Sequence, residues 1–255
     1  MGSDRRPLES VYTLLEWDSA FFGFNVARLL FHHVGEALLT RVLEKCDEDA
    51  VRVLFFLADS CDAQSIHLAE SNGFRFVDDR ITLTLGLGSI DVDELASDHL
   101  FEIRQVAEED IDAVAEIARD SFKYDRFHFD PGFSKSKADE MRAEWARNLC
   151  KGLGDIVFVA KVGQQVGGFI GCEVKSDGRG HIILTGVAPF AQGQGLGRIL
   201  TLHALKWFQD ANVEWVDVVT QSRNIAAQRL YQGCGFKTSH SAIWLHRWFD
   251  LKEQG

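Results

Sequence analysis

The sequence predicts an α/β (α+β) chain with a mixed, mostly antiparallel sheet and helices on both faces. Three observations carry this expectation. A strand-like run, His181 to Val187, leads through Gln192-Gly193-Gln194-Gly195-Leu196-Gly197 into a segment of helical period. A second run, Val213 to Thr220, leads into a helical segment that ends at Gly235-Phe236. A third, Val51 to Leu57, leads into one that ends at Gly73-Phe74. Strands that alternate with helical segments of this length are the pattern of sheets covered by helices.

In chain order, Val11 to Glu16 and Val26 to Phe31 read as strands, and Leu38, Leu39, Val42, Leu43 and Cys46 mark one face of a helix. After the Val51–Leu57 strand and its helix, a long strand region runs to Leu85. Gly86 to Asp93 has the glycine, serine and aspartate content of a linker, which divides the chain into residues 1–88 and 99–255. Leu100 to Val106 alternates like a strand. Asp110 is placed to cap a helix whose apolar face is Ile111, Val114, Ala115, Ala118 and Phe122. Ser134 or Ser136 opens another, with Met141, Trp145 and Leu149 on one face and Gly152 or Gly154 at its stop. Ile156–Val162 and Val166–Val174 form a hairpin around Gly163-Gln164-Gln165, and Asp177-Gly178 turns into the His181 strand. In the helix after the glycine loop, Leu200, Ala204, Trp207 and Ala211 share a face.

Composition narrows the partners. The chain has 255 residues, 46% hydrophobic and 25% charged, with a formal net charge of −11. That balance disfavours nucleic acid and anionic membranes, both of which require clustered Lys and Arg. Five cysteines without a C-x-x-C pattern suggest neither a metal site nor a redox pair. There is no apolar leader or run long enough for a membrane span, so the expectation is a cytoplasmic protein with free thiols and no metal. An anionic ligand must then be held by local amides and a few basic residues. The loop Gln192–Gly197 supplies such amides: its glycines allow close approach, and the first helical N–H groups with the helix dipole suit phosphate. It contains neither G-x-G-x-x-G nor a following Gly-Lys-Ser/Thr, so the dinucleotide and nucleoside-triphosphate signatures are not met.

What it does contain, Q-x-x-G-x-G at Gln192, Gly195 and Gly197, resembles the acetyl-CoA pyrophosphate loop of the GCN5-related N-acetyltransferases. Asn224, Ala227 and Tyr231, followed by Gly235-Phe236, resemble the N-x-x-A-x-x-x-Y…G-F block that closes that fold. The resemblance implies acetyl-CoA as co-substrate, with its pyrophosphate on Gln192, Gly193, Gln194, Gly195, Leu196 and Gly197 and Arg198 assisting by charge. It implies that the His181–Val187 and Val213–Thr220 strands splay, so that the backbone of Thr185, Gly186 and Val187 bonds the pantetheine arm. Asn224 falls at a pantetheine-bonding position, with a plain helix cap as the other reading. Tyr231 becomes the general acid: a phenol with a reference pKa of about 10 stays protonated at neutral pH and can donate to a thiolate whose thiol titrates near about 8.5. The other reading of Tyr231 is a core residue. The base is open between Glu173, His181 and a chain of waters.

A narrower likeness adds an acceptor. Leu15 to Phe24, Asp125-Arg126-Phe127-His128 and Trp244-Leu245 are similar to the dTDP-fucosamine acetyltransferases. That implies a dTDP-4-amino-4,6-dideoxyhexose as the acceptor and a degenerate half-copy of the fold ahead of the catalytic domain. Leu54–Phe74 set against Val216–Phe236 without a gap aligns the two Gly-Phe pairs, Ala69 with Tyr231, and Asp62 with Asn224. No Gly-rich cradle precedes the first copy. Within the connection Ser121–Pro131, Tyr124, Arg126 and His128 either meet the acceptor or plug the core. Other acceptors, namely a small amine, an amino acid or a peptide, remain open, as do a non-catalytic acyl-CoA-binding role and a homodimer.

Overall fold

The computed structural model describes residues 11–89, 101–123 and 125–250. Two compact units are present, and they do not follow the linear division at the linker. One comprises residues up to Arg80 together with Phe129–Gly132 and the stretch from Ser241 onward; the other comprises Ile81–His128 and Phe133–His240.

The first unit holds strands β1 (Tyr12–Leu14), β2 (Asn25–Leu29) and β3 (Val51–Asp59), with helices α1 (Glu16–Phe22), α2 (Glu36–Glu48) and α3 (Ala63–Ser71). β1 pairs antiparallel with β2, β2 parallel with β3, and β3 antiparallel with Ala242–Trp248 of the last strand. The expected strand Val11–Glu16 is cut short at Leu14, because Glu16 already begins α1. That helix ends at Gly23, whose φ of 81° only glycine adopts freely. α2 buries Leu39, Val42 and Cys46, the face its spacing predicts. Asp130 sits in this unit, where its carboxylate accepts from His246 Nδ1 (2.7 Å) and Trp248 Nε1 (3.0 Å). Gly132 lies directly against the Trp248 ring, so the close approach excludes any Cβ.

The second unit carries the glycine loop. Its sheet runs β4 (Arg75–Gly86, through its Ile81–Gly86 half), β9 (Trp215–Thr220), β8 (Gly180–Val187), β7 (Gln165–Val174), β6 (Ile156–Val162) and β5 (Glu102–Gln105). All neighbours are antiparallel except β8 and β9, which are parallel. A parallel neighbour needs a crossover, and α7 (Leu196–Asp210) supplies it. β4 and β10 (Lys237–Trp248) each contribute residues to both units, and the first unit completes its sheet with the C-terminal part of β10. The divisions at Arg80 and His240 therefore fall inside strands and not in the linker.

The remaining helices are α4 (Ile111–Ser121), a single turn α5 (Arg126–Phe129), α6 (Lys135–Asn148) and α8 (Ile225–Gly233). Ser134 caps α6, its hydroxyl accepting from Lys137 N–H at 3.2 Å. Asp110 is drawn inward, where it accepts from Arg104 (2.6 Å), Lys161 (3.0 Å) and Ala107 N–H (3.0 Å). The core between sheet and helices holds Phe169, Ile170, Leu196, Leu200, Ala204, Leu205 and Phe208. In α7 the buried stripe includes Phe208, with Trp207 half-exposed, one position from the expected register. No described helix is long and apolar enough to cross a membrane, and no metal-holding cluster exists among the described residues.

Candidate active site

β8 and β9 begin together and then part. Gly180, His181 and Ile182 pair with Val216, Asp217 and Val218; from Ile183 onward β8 has no partner on that side, while it stays paired with β7 through Val187. The strand pair therefore opens beside Thr185, Gly186 and Val187. Backbone groups that β9 would have engaged are left for another extended chain.

A bulge sits at the same place. Gly171 of β7 lies opposite Leu184, but Cys172 lies opposite Ile182, so Ile183 is the extra residue. Its effect shows at the glycines on either side of it. A Cβ on Gly180 would meet Phe208 of α7, whereas one on Gly186 would meet Ile117 of α4. Six residues apart in a regular strand, the two would share a face. The bulge turns the strand over, so Thr185 looks toward the α7 side and His181 toward the α4 side.

The glycine loop lies at the end of β8. Gly193 and Gly195 have φ of 74° and 80°, the left-handed region. Gln192 Nε2 donates to the Val187 carbonyl (3.2 Å) and Gln194 Nε2 to the Phe190 carbonyl (3.0 Å), so both side chains lace the loop to its own backbone. Gly195 is the N-cap of α7 and no side chain caps the first turn. The first internal helical bond is Ile199 N–H to Gly195 C=O at 3.2 Å. The N–H groups of Leu196, Gly197 and Arg198 are thus offered to a ligand at the positive end of a fifteen-residue helix, and the Arg198 side chain is exposed beside them. These residues fit the pyrophosphate of acetyl-CoA. Gly197 has a different reason to be small: a Cβ there would come within 3.2 Å of Leu230 on α8.

α8 is capped by Asn224, whose Oδ1 accepts from Ala227 N–H at 3.1 Å. Its amide oxygen is therefore held by the helix, as the plainer reading expected. Two turns later Tyr231 is 5% exposed and packs edge-on to Phe236 at 5.8 Å. Burial pushes its phenol up to about 12, against a smaller opposing effect of the nearby Thr185 hydroxyl. That hydroxyl is itself buried and makes no hydrogen bond of good geometry. The phenol accordingly stays protonated at neutral pH. The sequence pattern points to the Thr185 backbone and gives no sign of its side chain. Only the bulge brings it to Tyr231.

The connection between α4 and α6 is more ordered than its composition suggests. Asp125 is buried and forms an ion pair with Arg142, whose guanidinium lies over Phe122 (5.5 Å) and Trp145 (5.2 Å). His128 is gripped from both sides, Nδ1 at 2.9 Å from Asp125 and Nε2 at 2.9 Å from Asp139. Burial favours the neutral ring, but the two carboxylates outweigh it and raise the pKa of His128. Both ring nitrogens are thus engaged by carboxylates of the chain itself, one in the loop and one on α6. Arg126 stacks over Phe127 at 4.6 Å. Tyr124 lies outside the described residues.

The His128 clamp has a testable sign. A histidine whose folded pKa is raised contributes stability that is present below its unfolded value of about 6.5 and lost as pH rises through the folded value. His128→Gln should therefore lower Tm more at pH 5.5 than at pH 9. An equal loss at both pH values in thermal unfolding would mean that the ring is held neutral.

Comparison with known proteins agrees with this geometry. Residues 111–236 match the model of the acetyltransferase (GNAT) family. The chain is similar to the spore coat polysaccharide biosynthesis protein SpsD of Bacillus subtilis, 30% identical over 58% of this chain and 51% of that protein, so the match spans about half of that relative's length. It is similar to a dTDP-fucosamine acetyltransferase of Escherichia coli O6:H1, 24% identical over 94% of this chain and 100% of that one. Among solved structures, a GCN5-related N-acetyltransferase from Sphaerobacter thermophilus superposes with a TM-score of 0.64 at 15% identity, over 93% of this chain and 76% of that one. With the open strand pair, the uncapped helix and Tyr231 between them, residues 111–236 form a domain of the GNAT acetyltransferase family, whose members use acetyl-CoA as co-substrate.

Proposed function

We propose that this protein moves an acetyl group from acetyl-CoA to the amine of a nucleotide-linked amino sugar, a dTDP-4-amino-4,6-dideoxyhexose. The observation that carries the transfer is the convergence of the Gln192–Gly197 loop, the parting of β8 from β9, and the buried phenol of Tyr231 on one helix–sheet face. What supports the acceptor is the likeness to the dTDP-fucosamine acetyltransferase, 24% identical over 94% of this chain. In this reading Arg126 takes the diphosphate, since an acidic protein must place a cation locally for it. The Asp125–Arg142 pair and the His128 clamp hold that loop in shape.

A parallel between the two halves supports reading the first as a degenerate copy. Asp62 caps α3 by accepting from Ser65 N–H at 3.0 Å, as Asn224 caps α8. Gly73 and Gly235 both have positive φ, and Phe74 N–H bonds Ala69 C=O as Phe236 N–H bonds Tyr231 C=O. Between β2 and α2 no Gly-rich loop occurs, and Ala69 stands where Tyr231 does, so the first copy has neither cradle nor proton donor.

The test is release of CoA thiol with dTDP-4-amino-4,6-dideoxygalactose, compared with the free amino sugar, amino acids and polyamines. The sugar nucleotide should be preferred, and Arg126→Ala should raise its KM about tenfold or more with little change in KM for acetyl-CoA. Equal turnover of free amines would keep the acetyltransferase and discard the sugar nucleotide. Absence of thiol release with every amine would leave an acyl-CoA-binding module.

A further inference from the structure

We propose that His181 is the general base of the transfer, taking the proton from the acceptor ammonium on the sheet face opposite Tyr231. The inference rests on the acetyl-transfer reading above and adds the group that reading lacks. His181 lies in the middle of the three rows that pair β8 with β9, one row before the strands part, and in that row it is the Cα partner of both Glu173 on β7 and Asp217 on β9. Side chains opposite each other in such a row stand about 5 Å apart and point to the same face. Two carboxylates therefore flank the ring and stabilise the imidazolium formed when it accepts a proton.

The surroundings keep that arrangement in place. Asp217 is held by Arg179, which donates from Nε (2.8 Å) and an Nη (2.7 Å), and by Thr84 Oγ1 at 2.6 Å. One carboxylate of the pair is thus charge-balanced and fixed, while Glu173 carries the second negative charge. Asp155 is turned to the strand end, accepting from Val174 N–H at 2.6 Å. Leu149 at the end of α6 and the bulge residue Ile183 both close on Gly154.

The bulge gives the pair its sense. His181 and Thr185 are four residues apart and would share a face in a regular strand, yet Ile183 sends them to opposite faces. A thioester threaded between β8 and β9 would have Tyr231 and Thr185 on one side and His181 on the other. The proton steps then balance. The ammonium gives one proton to His181, and the neutral amine attacks the thioester carbonyl carbon, forming the C–N bond. The C–S bond breaks as Tyr231 donates its proton to the departing sulfur. The phenolate recovers a proton from the amide nitrogen, and the imidazolium loses its own to solvent.

The test is the pH profile of kcat/KM for thiol release with dTDP-4-amino-4,6-dideoxygalactose, in wild type and His181→Gln, with acetyl-CoA affinity measured by calorimetry as the folding control. Wild type should rise and level off once the ring is neutral. The variant should bind acetyl-CoA normally and climb about tenfold per pH unit until the amine itself is neutral, converging on wild type at high pH. A uniform loss at every pH, or an unchanged profile, overturns the assignment and leaves acetyl transfer intact. No thiol release by wild type overturns both. If His181→Gln does not fold, Glu173→Gln serves: with one flanking carboxylate removed, the ascending limb should move to lower pH, and an unmoved limb sinks the proposal.

Discussion

Replacing Tyr231 by phenylalanine should lower kcat by about 10²-fold or more while acetyl-CoA affinity stays within about twofold, the loss expected when a general acid is removed and the site is otherwise kept. The structure allows this separation for a specific reason. Tyr231 is almost fully buried and its ring packs on Phe236, so the phenylalanine ring fills the same volume and the sheet–helix contact survives. Only the hydroxyl is lost, and the nearby Thr185 hydroxyl makes no other hydrogen bond that would be broken. The departing thiolate then has to leave unprotonated or borrow a proton from water. In energy the effect is about 2.7 kcal/mol of transition-state stabilisation. Steady-state kinetics with near-wild-type turnover would return Tyr231 to the role of a core tyrosine.

The same residue shows where the sequence was legible and where it was not. Tyr231, Asn224 and the loop Gln192–Gly197 stand out through their resemblance to the motifs of the N-acetyltransferases, and their spacing puts each motif on one helix or one turn, where local geometry is written locally. Asp62 and Asn224 cap their helices at the aligned positions for the same reason. The facing of Thr185 and His181 was hidden, because one extra residue at Ile183 reverses every later side chain and a bulge leaves no compositional mark. The unit boundary was hidden because it falls inside β4 and β10, continuous strands in which no glycine or proline marks the passage. His128 looked like a ligand contact beside aromatics and an arginine. Its actual partners, Asp125 at i−3 and Asp139 on α6, were present in the sequence, but the buried pair of Asp125 with Arg142 depends on how α6 packs.

Replacing Gly195 by valine should abolish measurable acetyl-CoA binding, raising Kd about 10²-fold or more, with the fold retained. Gly195 holds a φ of 80° at the cap of α7, and nothing stands within 4 Å of a Cβ built on it. The cost is therefore backbone strain and not a clash, of order 1–2 kcal/mol for an ordinary residue and more for a β-branched one. The loop relieves that strain by rotating out of the left-handed region, which turns the N–H groups of Leu196, Gly197 and Arg198 away from a common point. An anion site made of aligned amides is lost when they no longer converge, even though the rest of α7 stays seated on Leu196, Leu200 and Phe208. Gly197→Val should behave differently, because its Cβ presses on Leu230 and separates α7 from α8. It should lower Tm as well as affinity, whereas Gly195→Val lowers affinity with only a small change in Tm. Calorimetry paired with thermal unfolding separates the two. Unchanged affinity in Gly195→Val would mean that the pyrophosphate is held elsewhere.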